Sequence, residues 1–291
     1  MDIFLQLVIN GLLLGGTLAI ISIGLTLIFG IVRVINFAHG EFLMVGLYAV
    51  YLMTQFMGLH PYAAAVPAII LLFLIGALMQ RFIIQPLLSA DPHIQIFATV
   101  GVSTALLNLA LLVFGADVFS VRLNDFTTQR LSLGPTTMMS GPVITFFVSI
   151  LLIIGFHLFL KYTFLGRAIR ATAQNRYAAQ LMGVNVNWIY IITFGLGSAC
   201  LGLASGLLLP QYPAFPTVGT FFVLTAFVIV VLGGLGSLAG AFLGSMIIGL
   251  VDSLAGYYIA PDLKEVVYFL IFLGILVLRP TGLLGLGRGS E

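Results

Sequence analysis

Residues 161–187 read KYTFLGRAIRATAQNRYAAQLMGVNVN and are the one extended basic, helix-prone segment of this chain. They lie between two long apolar stretches, and the sequence around them favours the interior of a lipid bilayer. A basic segment between two membrane spans indicates a loop on the cytosolic side. The chain has no energy-coupling motif of its own, which indicates a membrane subunit that is driven by a partner.

The composition is that of an integral membrane protein. The 291 residues are 61% hydrophobic and 7% charged, whereas a soluble domain carries about 25% charged residues. So few charges cannot cover a water-exposed surface, and the composition therefore predicts an all-α polytopic membrane protein. The net charge of +2 gives no argument for nucleic acid, and a single cysteine, Cys200, excludes a disulfide framework.

Nine apolar segments are candidate membrane spans, and we predict about eight or nine transmembrane helices, some of them broken, in one domain over residues 1–291. The first segment begins almost at the N-terminus without a basic region, so we expect a retained span and not a cleaved signal peptide. Only residues 233–237 separate the seventh segment from the eighth. The candidates are Phe4–Phe29, Phe42–Met57, Tyr62–Met79, Ile94–Phe114, Val143–Leu160, Trp188–Leu209, Thr220–Leu235, Ala239–Tyr257 and Val266–Leu278.

The distribution of lysine and arginine predicts the orientation of these spans, because cytosolic loops carry an excess of both residues. With residues 161–187 inside, eight basic residues lie inside and three lie outside, so the N-terminus is expected outside and the C-terminus in the cytosol. The inside set is Arg33, Arg81, Lys161, Arg167, Arg170, Arg176, Arg279 and Arg288, and the outside set is Arg122, Arg130 and Lys264.

The cytosolic loop carries the signals of a short helix. Asn175 is a favourable N-cap residue and Gly183 a natural terminator, which predicts about two helical turns from Arg176. Tyr177 and Leu181 are four residues apart and share one face of that helix. An exposed apolar stripe on so short a helix favours a docking site for another protein, although a basic loop that lies on lipid headgroups fits the residues equally well. Arg167 and Arg170 lie one turn apart on a preceding helical extension.

Two interruptions of the apolar pattern predict a substrate path. The first, between the first two spans, contains Asn36, His39 and Glu41; the second is Gly233–Ser237, with Gly233, Gly234 and Gly236. Paired breaks of this kind form central sites in transporters, whereas an ordinary interfacial turn is the alternative for the first one. Asp252 lies inside a later apolar run and should face protein or water instead of lipid.

Glycines at every fourth position predict close helix packing. Gly236, Gly240 and Gly244 would form a stripe along one helix face, either inside the subunit or on a face between subunits. Residues 115–142 are the one long external loop. Alternation in 119–123 and 131–133 predicts short strands in a hairpin-like cap, with an irregular loop as the alternative.

The sequence gives little support for a nucleotide, cofactor or metal site or for an enzyme active site. Neither lysine follows a glycine in a phosphate-loop pattern, so no nucleotide site is predicted, and neither a cofactor nor a metal site is expected, since one histidine and one glutamate are too few ligands. Ser103 and His157 could in principle form an intramembrane hydrolase. A self-contained ion-coupled transporter with Glu41 or Asp252 as the relay is a further alternative.

Four segments resemble the branched-chain amino acid permease family of ABC importers. They are LIFGIVRVINFAHGE (27–41), GRAIRATAQ (166–174) followed by AQLMG (179–183), VLGGLGSLAGA (231–241) and RPTGLLG (279–285). The likeness runs from about Gly11 to Gly285, nearly the whole chain. Gln174 and Asn175 stand where many members of that family carry an acidic residue, which argues against a salt bridge to the ATPase at that point.

The resemblance implies a multi-pass permease of the bacterial inner membrane that moves branched-chain or related amino acids by alternating access, and not an enzyme. It implies a second, related permease, two cytosolic ATPases and an external binding protein as partners. The helix from Arg176 to Gly183 would be the coupling helix that enters an ATPase groove. The family also includes urea and short-amide permeases, so the motifs leave the substrate open.

Overall fold

The computed structural model describes residues 2–121, 123, 126–133 and 136–285, and this part of the chain is almost entirely helical, as predicted. A π-helical turn, Gln80–Ile84, joins α3 to α4, and a 3-10 turn, Pro261–Leu263, precedes the last helix. The helices are α1 (Asp2–Val32), α2 (His39–Met57), α3 (Pro61–Met79), α4 (Gln85–Leu87), α5 (Pro92–Phe114), α6 (Ser140–Tyr162), α7 (Phe164–Gln174), α8 (Arg176–Leu181), α9 (Val186–Leu208), α10 (Val218–Gly233), α11 (Leu238–Tyr258) and α12 (Lys264–Leu278).

The apolar helices coincide with the nine candidate spans. Seven of them, counting α3 to α4 as one, are long and apolar enough to cross a membrane. Two others are shorter: α10 has 16 residues and α12 has 15. At a rise of about 1.5 Å per residue, these two cover only about 24 Å and 22 Å of a hydrocarbon core about 30 Å thick. The exact number of crossings and the orientation of the termini therefore stay predictions.

Two helices form the centre of the bundle. α1 packs against α6, α9, α10 and α11, while α9 also packs along the length of α3. Within their most apolar windows, 78% of α1 and 72% of α9 is buried, against 11% for α5 and for α6. A helix that stays apolar while so little of it is buried must face lipid or another subunit, so α5 and α6 form the periphery of this chain.

The prediction that Gly236, Gly240 and Gly244 share one helix face is wrong for Gly236. Gly236 lies in the turn before α11 with a φ of 86°, because the chain reverses direction there and this backbone conformation favours glycine. Gly240 and Gly244 are on α11 and face α10: a methyl group on Gly240 would overlap the carbonyl oxygen of Gly233. The two glycines thus serve packing within the subunit, the first of the two alternatives.

The loop of residues 115–142 contains the expected hairpin, but in only one of the two predicted places. β1 (Arg130–Leu133) pairs antiparallel with β2 (Thr136–Met139), and α6 begins directly afterwards, inside the predicted loop. A strand over 119–123 was a wrong prediction, since Phe119 makes only an isolated bridge to Ala214. Arg122 and residues 124–125 and 134–135 lie outside the described residues.

Candidate functional site

The chain turns back into the protein where α1 ends. Arg33 has a φ of 61°, the one positive value among the non-glycine residues described, and residues 33–36 have no regular structure. Thr99 on α5 holds this stretch: its hydroxyl accepts from the amide of Phe37 at 3.3 Å, and its one proton is shared between the carbonyl oxygens of Ile96 at 2.9 Å and Ile35 at 3.2 Å. The backbone groups freed by the break are thus bound by a neighbouring helix, as membrane interiors require.

His39 shows how deep this segment goes. Its Nε2 lies 3.0 Å from the carbonyl oxygen of Ile21, and because a carbonyl can only accept, Nε2 carries the proton. Ile21 is eleven residues before the end of α1, which corresponds to about 16 Å along the helix axis. Residues 33–38 therefore run from the end of α1 towards its middle, and α2 begins inside the bundle instead of at its surface. This depth favours a break inside the bundle over an ordinary turn at its surface.

Three predicted path residues lie together at this break. Asn36 and His39 are fully buried, and Glu41 is 3% exposed. Asn36 uses its Oδ1 to accept from the amide of Ala38 at 3.1 Å, and the Glu41 side chain lies near that of Ser103 on α5. Asn36 Nδ2, His39 Nδ1 and Glu41 Oε2 make no hydrogen bond within the described structure. Buried polar atoms without partners are costly, so this cluster is suited to a polar ligand.

The second break lies elsewhere. Gly236 packs against Gly30 on α1, while Gly233 and Gly234 meet the C-terminal residues: the amide of Leu284 donates to the carbonyl oxygen of Gly233 at 3.0 Å. Gly30 is nine residues from Ile21, about 14 Å along α1. The structure therefore does not bring the Gly233–Ser237 turn together with Asn36, His39 and Glu41.

Asp252 belongs to a third place, a water-accessible cavity of about 710 Å³ beside the first half of α1. Its carboxylate pairs with the ammonium group of Lys264 at 3.2 Å, and so faces protein and water, as its position in an apolar run required. The cavity mixes polar and apolar side chains and reaches Thr17, one turn before Ile21. It is lined by Gln6, Asn10, Leu13, Leu14, Thr17, Arg130, Thr137, Met138, Met139, Pro142, Gln211, Tyr212, Asp252 and Ser253.

The hairpin forms one wall of this cavity, and a glutamine holds it in place. The Gln6 side chain accepts from the amide of Thr137 at 2.9 Å and donates to its carbonyl oxygen at 2.7 Å. This reciprocal pair occupies both backbone groups of a strand residue, as a further strand would. No sequence pattern indicates this contact, which joins residues 131 positions apart.

At the opposite end of α1, the predicted helix of residues 161–187 is confirmed. The side chain of Asn175 caps α8 by accepting from the amides of Tyr177 and Ala178, each at 3.0 Å, and Gly183 follows with a φ of 84°. Tyr177 is 68% exposed, Leu181 71% and Met182 85%. Arg167 and Arg170 are exposed on α7. A short helix that turns three large apolar side chains to the outside is suited to insertion into another protein.

A cleft of about 500 Å³ opens beside this loop. It is lined by Asn185, Asn187 and Trp188 at the start of α9 and by Arg81 and Gln85 from the end of the α3–α4 run, together with Pro86 and Ile191. Arg81 and Trp188 are exposed. The cleft and the exposed helix α8 together form an uneven surface at this end of the bundle, which a partner protein could contact.

One link between the α7–α8 segment and the buried break was missed in the sequence. The guanidinium of Arg33 donates from Nη2 to the carbonyl oxygen of Ala173 at 3.3 Å. Ala173 is in the last turn of α7, where free carbonyl groups attract a cation. Arg33 also starts the segment that leads to Asn36. No sequence signal indicates this role, because arginine is not a residue type that marks a positive φ.

The hydrolase alternative is not supported by the geometry. Ser103 lies near Glu41, whereas His157 is exposed on α6, the helix that is peripheral to the bundle. Among the described residues, no group of three His, Cys, Asp or Glu side chains could hold a metal ion.

A bundle of long apolar helices with a buried polar break and an adjoining cavity is the architecture of a multi-pass membrane protein. Residues 7–276 match the family described as branched-chain amino acid transport system / permease component, and the chain belongs to this family.

Individual relatives cover nearly the full length. LivH, a high-affinity branched-chain amino acid transport system permease protein of Escherichia coli (strain K12), is 32% identical over 97% of this chain and 96% of its own length. BraD of Pseudomonas aeruginosa, which carries the same description, is 33% identical over 97% and 96%. RbsC, a ribose import permease protein of Haemophilus influenzae, is 29% identical over 66% of this chain and 60% of its own length.

Membership in this family establishes the chain as a transport component and not an enzyme, located in the inner membrane. Its relatives are permease subunits of ABC importers, and such subunits work with separate partner subunits. The descriptions of LivH and BraD favour an importer subunit over the self-contained ion-coupled transporter and over the urea or short-amide permease.

Proposed function

We propose that this chain forms the translocation path of an ABC importer for branched-chain or related amino acids. It would pair with a second, related permease, take substrate from an external binding protein and receive motion from two cytosolic ATPases. The observation that carries this proposal is the end-to-end match to two permeases described as high-affinity branched-chain amino acid transporters. The chain itself contains no nucleotide-binding motif, so the energy must come from a partner.

The path we propose begins in the cavity beside α1 and leads to the buried break. Thr17 lines the cavity, and Ile21, one helical turn further along α1, binds His39. The cavity and the polar cluster are thus neighbours along one helix. With the N-terminus outside, the cavity is open to the exterior and the segment around Asn36 closes the inner half, the outward-facing state of an alternating-access cycle.

The coupling we propose runs through α8 and α7 to Arg33. α8 would enter a groove of an ATPase with Tyr177, Leu181 and Met182, while Arg167 and Arg170 on α7 face the same aqueous side. Because Arg33 is bound to the end of α7 and begins the break, a shift of the cytosolic loop is transmitted to the segment that carries Asn36 and His39. The exposed apolar stripe on α8 supports this route.

The test is reconstitution in sealed liposomes. The complex with its partner permease and ATPases is expected to accumulate leucine only when ATP and the binding protein are present, whereas this chain alone should accumulate none. Concentration of leucine by the chain alone under an ion gradient, without nucleotide, would overturn the proposal and restore the ion-coupled alternative.

Replacing Arg33 tests the link to α7. Arg33→Ala removes a charge-assisted hydrogen bond, a contact worth about 1.5–3 kcal/mol, and we expect at least about tenfold less leucine imported per ATP hydrolysed. Arg33→Gly should lose coupling to the same degree while it relieves the positive φ, so its thermal stability should be no lower than that of the alanine variant. Arg33→Lys keeps the charge and should retain part of the coupling. An unchanged transport-to-hydrolysis ratio in Arg33→Ala would show that this contact is outside the coupling route.

A further inference from the structure

The cavity of about 710 Å³ beside α1 carries opposite charges on two of its walls. Among the described residues that line it, Arg130 is the one cationic side chain and Asp252 the one anionic side chain. Arg130 is on β1 of the hairpin, whereas Asp252 is on α11. Walls of opposite sign around one cavity favour a small molecule that carries both an anionic and a cationic group.

Contacts with α1 hold these two walls at the same level of the bundle. The Gln6 side chain binds both backbone groups of Thr137 in the hairpin, at 2.7 and 2.9 Å. The next residue of α1, Leu7, accepts at its carbonyl oxygen from the hydroxyl of Ser253 at 2.8 Å. Ser253 directly follows Asp252 on α11. The hairpin and the acidic part of α11 therefore meet consecutive residues of α1, which places both charged walls beside the same helical turn.

Both charged groups have capacity for a ligand. The ammonium group of Lys264 lies 3.2 Å from each oxygen of Asp252, but a carboxylate has about four lone-pair sites and can accept from a second cation. The Asp252 side chain is 18% exposed, so a ligand in the cavity can reach it. Within the described part of the chain, the guanidinium of Arg130 makes no hydrogen bond or ion pair. Such a guanidinium is suited to a carboxylate, which it binds through two parallel hydrogen bonds.

The α1 wall of the cavity becomes apolar one helical turn away from the charges. Its lining residues, from Gln6 to Thr17, recur at intervals of three and four and share one face of the helix. Gln6 and Asn10 lie beside the charged walls, and Leu13 and Leu14 follow one turn further towards the buried break. The volume falls in the range of about 300–1,000 Å³ that is typical of small-molecule sites. The cavity therefore suits a molecule with two charges at one end and an apolar group at the other.

We propose that this cavity binds an α-amino acid as its zwitterion, with the carboxylate on Arg130 and the ammonium group on Asp252. The apolar side chain of the ligand then contacts Leu13 and Leu14. The assignment rests on the proposed function and deepens it, because it names the residues that hold the substrate at the start of the path. A neutral sugar or urea pairs with neither charged side chain, so the same cavity disfavours both.

The first experiment separates the two charges of the ligand. The thermal stability of the permease, purified with its partner subunits but without the binding protein, should rise with leucine. Isoamylamine lacks the carboxylate and 4-methylpentanoate lacks the ammonium group, so each should need at least about tenfold more ligand for the same rise. Arg130→Gln should raise the half-maximal concentration of leucine at least about tenfold and leave that of isoamylamine unchanged. Arg130→Lys keeps the charge without the paired hydrogen bonds and should show a smaller increase for leucine.

The second experiment distinguishes a ligand contact from a structural ion pair. Asp252→Asn and Lys264→Gln both remove the pair between these residues, so a purely structural role predicts the same direction of change for both. A contact between Asp252 and the ligand ammonium group predicts opposite directions. Asp252→Asn should raise the half-maximal concentration of leucine at least about tenfold, and Lys264→Gln should lower it, because no competing cation remains. Asp262→Asn, the same change at an exposed residue outside the cavity, should behave as the wild type does.

Three results would overturn the assignment: no stabilisation of the wild type by leucine, an unchanged half-maximal concentration in Arg130→Gln, or changes of the same sign in Asp252→Asn and Lys264→Gln. If the wild-type complex still imports leucine with ATP and the binding protein, the proposed function stands and the substrate is held elsewhere. If leucine binds as expected but the complex imports no amino acid, the proposed function fails and the assignment of the site stands.

Discussion

The double variant Tyr177→Asp, Leu181→Asp is expected to abolish import by the assembled complex. Both side chains are exposed on α8, at 68% and 71%, and burial of a large apolar side chain is worth about 1.5–3 kcal/mol. Losing two such anchors and placing two charges at the contact should weaken ATPase binding by at least about a hundredfold. Co-purification of the ATPases with the permease measures the loss directly, and ATP-driven leucine uptake should fall with it.

The matched control is Gln174→Asp, which places the same charge in the same loop. Gln174 is exposed at the end of α7, before α8 begins, so it is not on the helix face that carries Tyr177 and Leu181. It should assemble and transport as the wild type does. Because the two replaced side chains contact little of their own chain, the double variant should reach the membrane with normal thermal stability. Intact ATPase binding by the double variant would remove α8 from the coupling route.

The sequence was a good guide to everything that depends on hydropathy and on local caps. Each of the nine apolar segments became a helix, since a polypeptide in lipid must satisfy its own hydrogen bonds and only the helix does so within one segment. α8 was predictable to within a residue, because an Asn cap and a terminating Gly act over a few positions. Hydropathy and helix-capping residues both act locally, so they can be read without knowing the rest of the fold.

The depth of the break was not predictable in the same way. The residues around Asn36 fit a surface turn and a re-entrant segment equally well, and the difference is decided by Ile21 and Thr99, which are 18 and 62 residues from the groups they bind. The positive φ of Arg33 and the clamp of Gln6 on Thr137 are long-range consequences of packing as well. Hydropathy also marked Gly233–Ser237 as a second break, but it could not show that this turn lies about 14 Å from the first along α1.

The second large effect is expected where α2 and α10 meet. Gly40 and Gly219 lie against each other: a methyl group on Gly40 would be 2.6 Å from the carbonyl carbon of Gly219 and 2.9 Å from Cβ of Val223, and one on Gly219 would be 2.8 Å from the amide nitrogen of Glu41. Such distances are too short for carbon in contact with backbone. Either helix must shift, and the shift displaces the residues of the break.

Gly40→Ala and Gly219→Ala are therefore expected to destabilise the permease by about 3 kcal/mol or more, the upper range for overpacking, since backbone cannot yield as a side chain does. Thermal unfolding of the purified protein in detergent measures this loss. The amount of assembled complex should fall, and leucine uptake should fall by a larger factor than that amount. The reason is that Glu41 follows directly on Gly40, so a shift of Gly40 also displaces Glu41. Normal stability of Gly40→Ala would mean that α2 and α10 do not cross at these two residues.

Gly101→Ala gives the matched comparison, for it is the same change in a membrane helix of the same chain. Nothing lies within 4 Å of the position that its methyl group would take on α5. There the substitution removes only the conformational freedom of glycine, which costs a helix about 0.5–1 kcal/mol relative to alanine. The same one-carbon addition should thus stabilise the protein slightly on α5 and destabilise it at the α2–α10 crossing. Changes of opposite sign in the free energy of unfolding would show that the effect at Gly40 and Gly219 comes from the contact between the two helices.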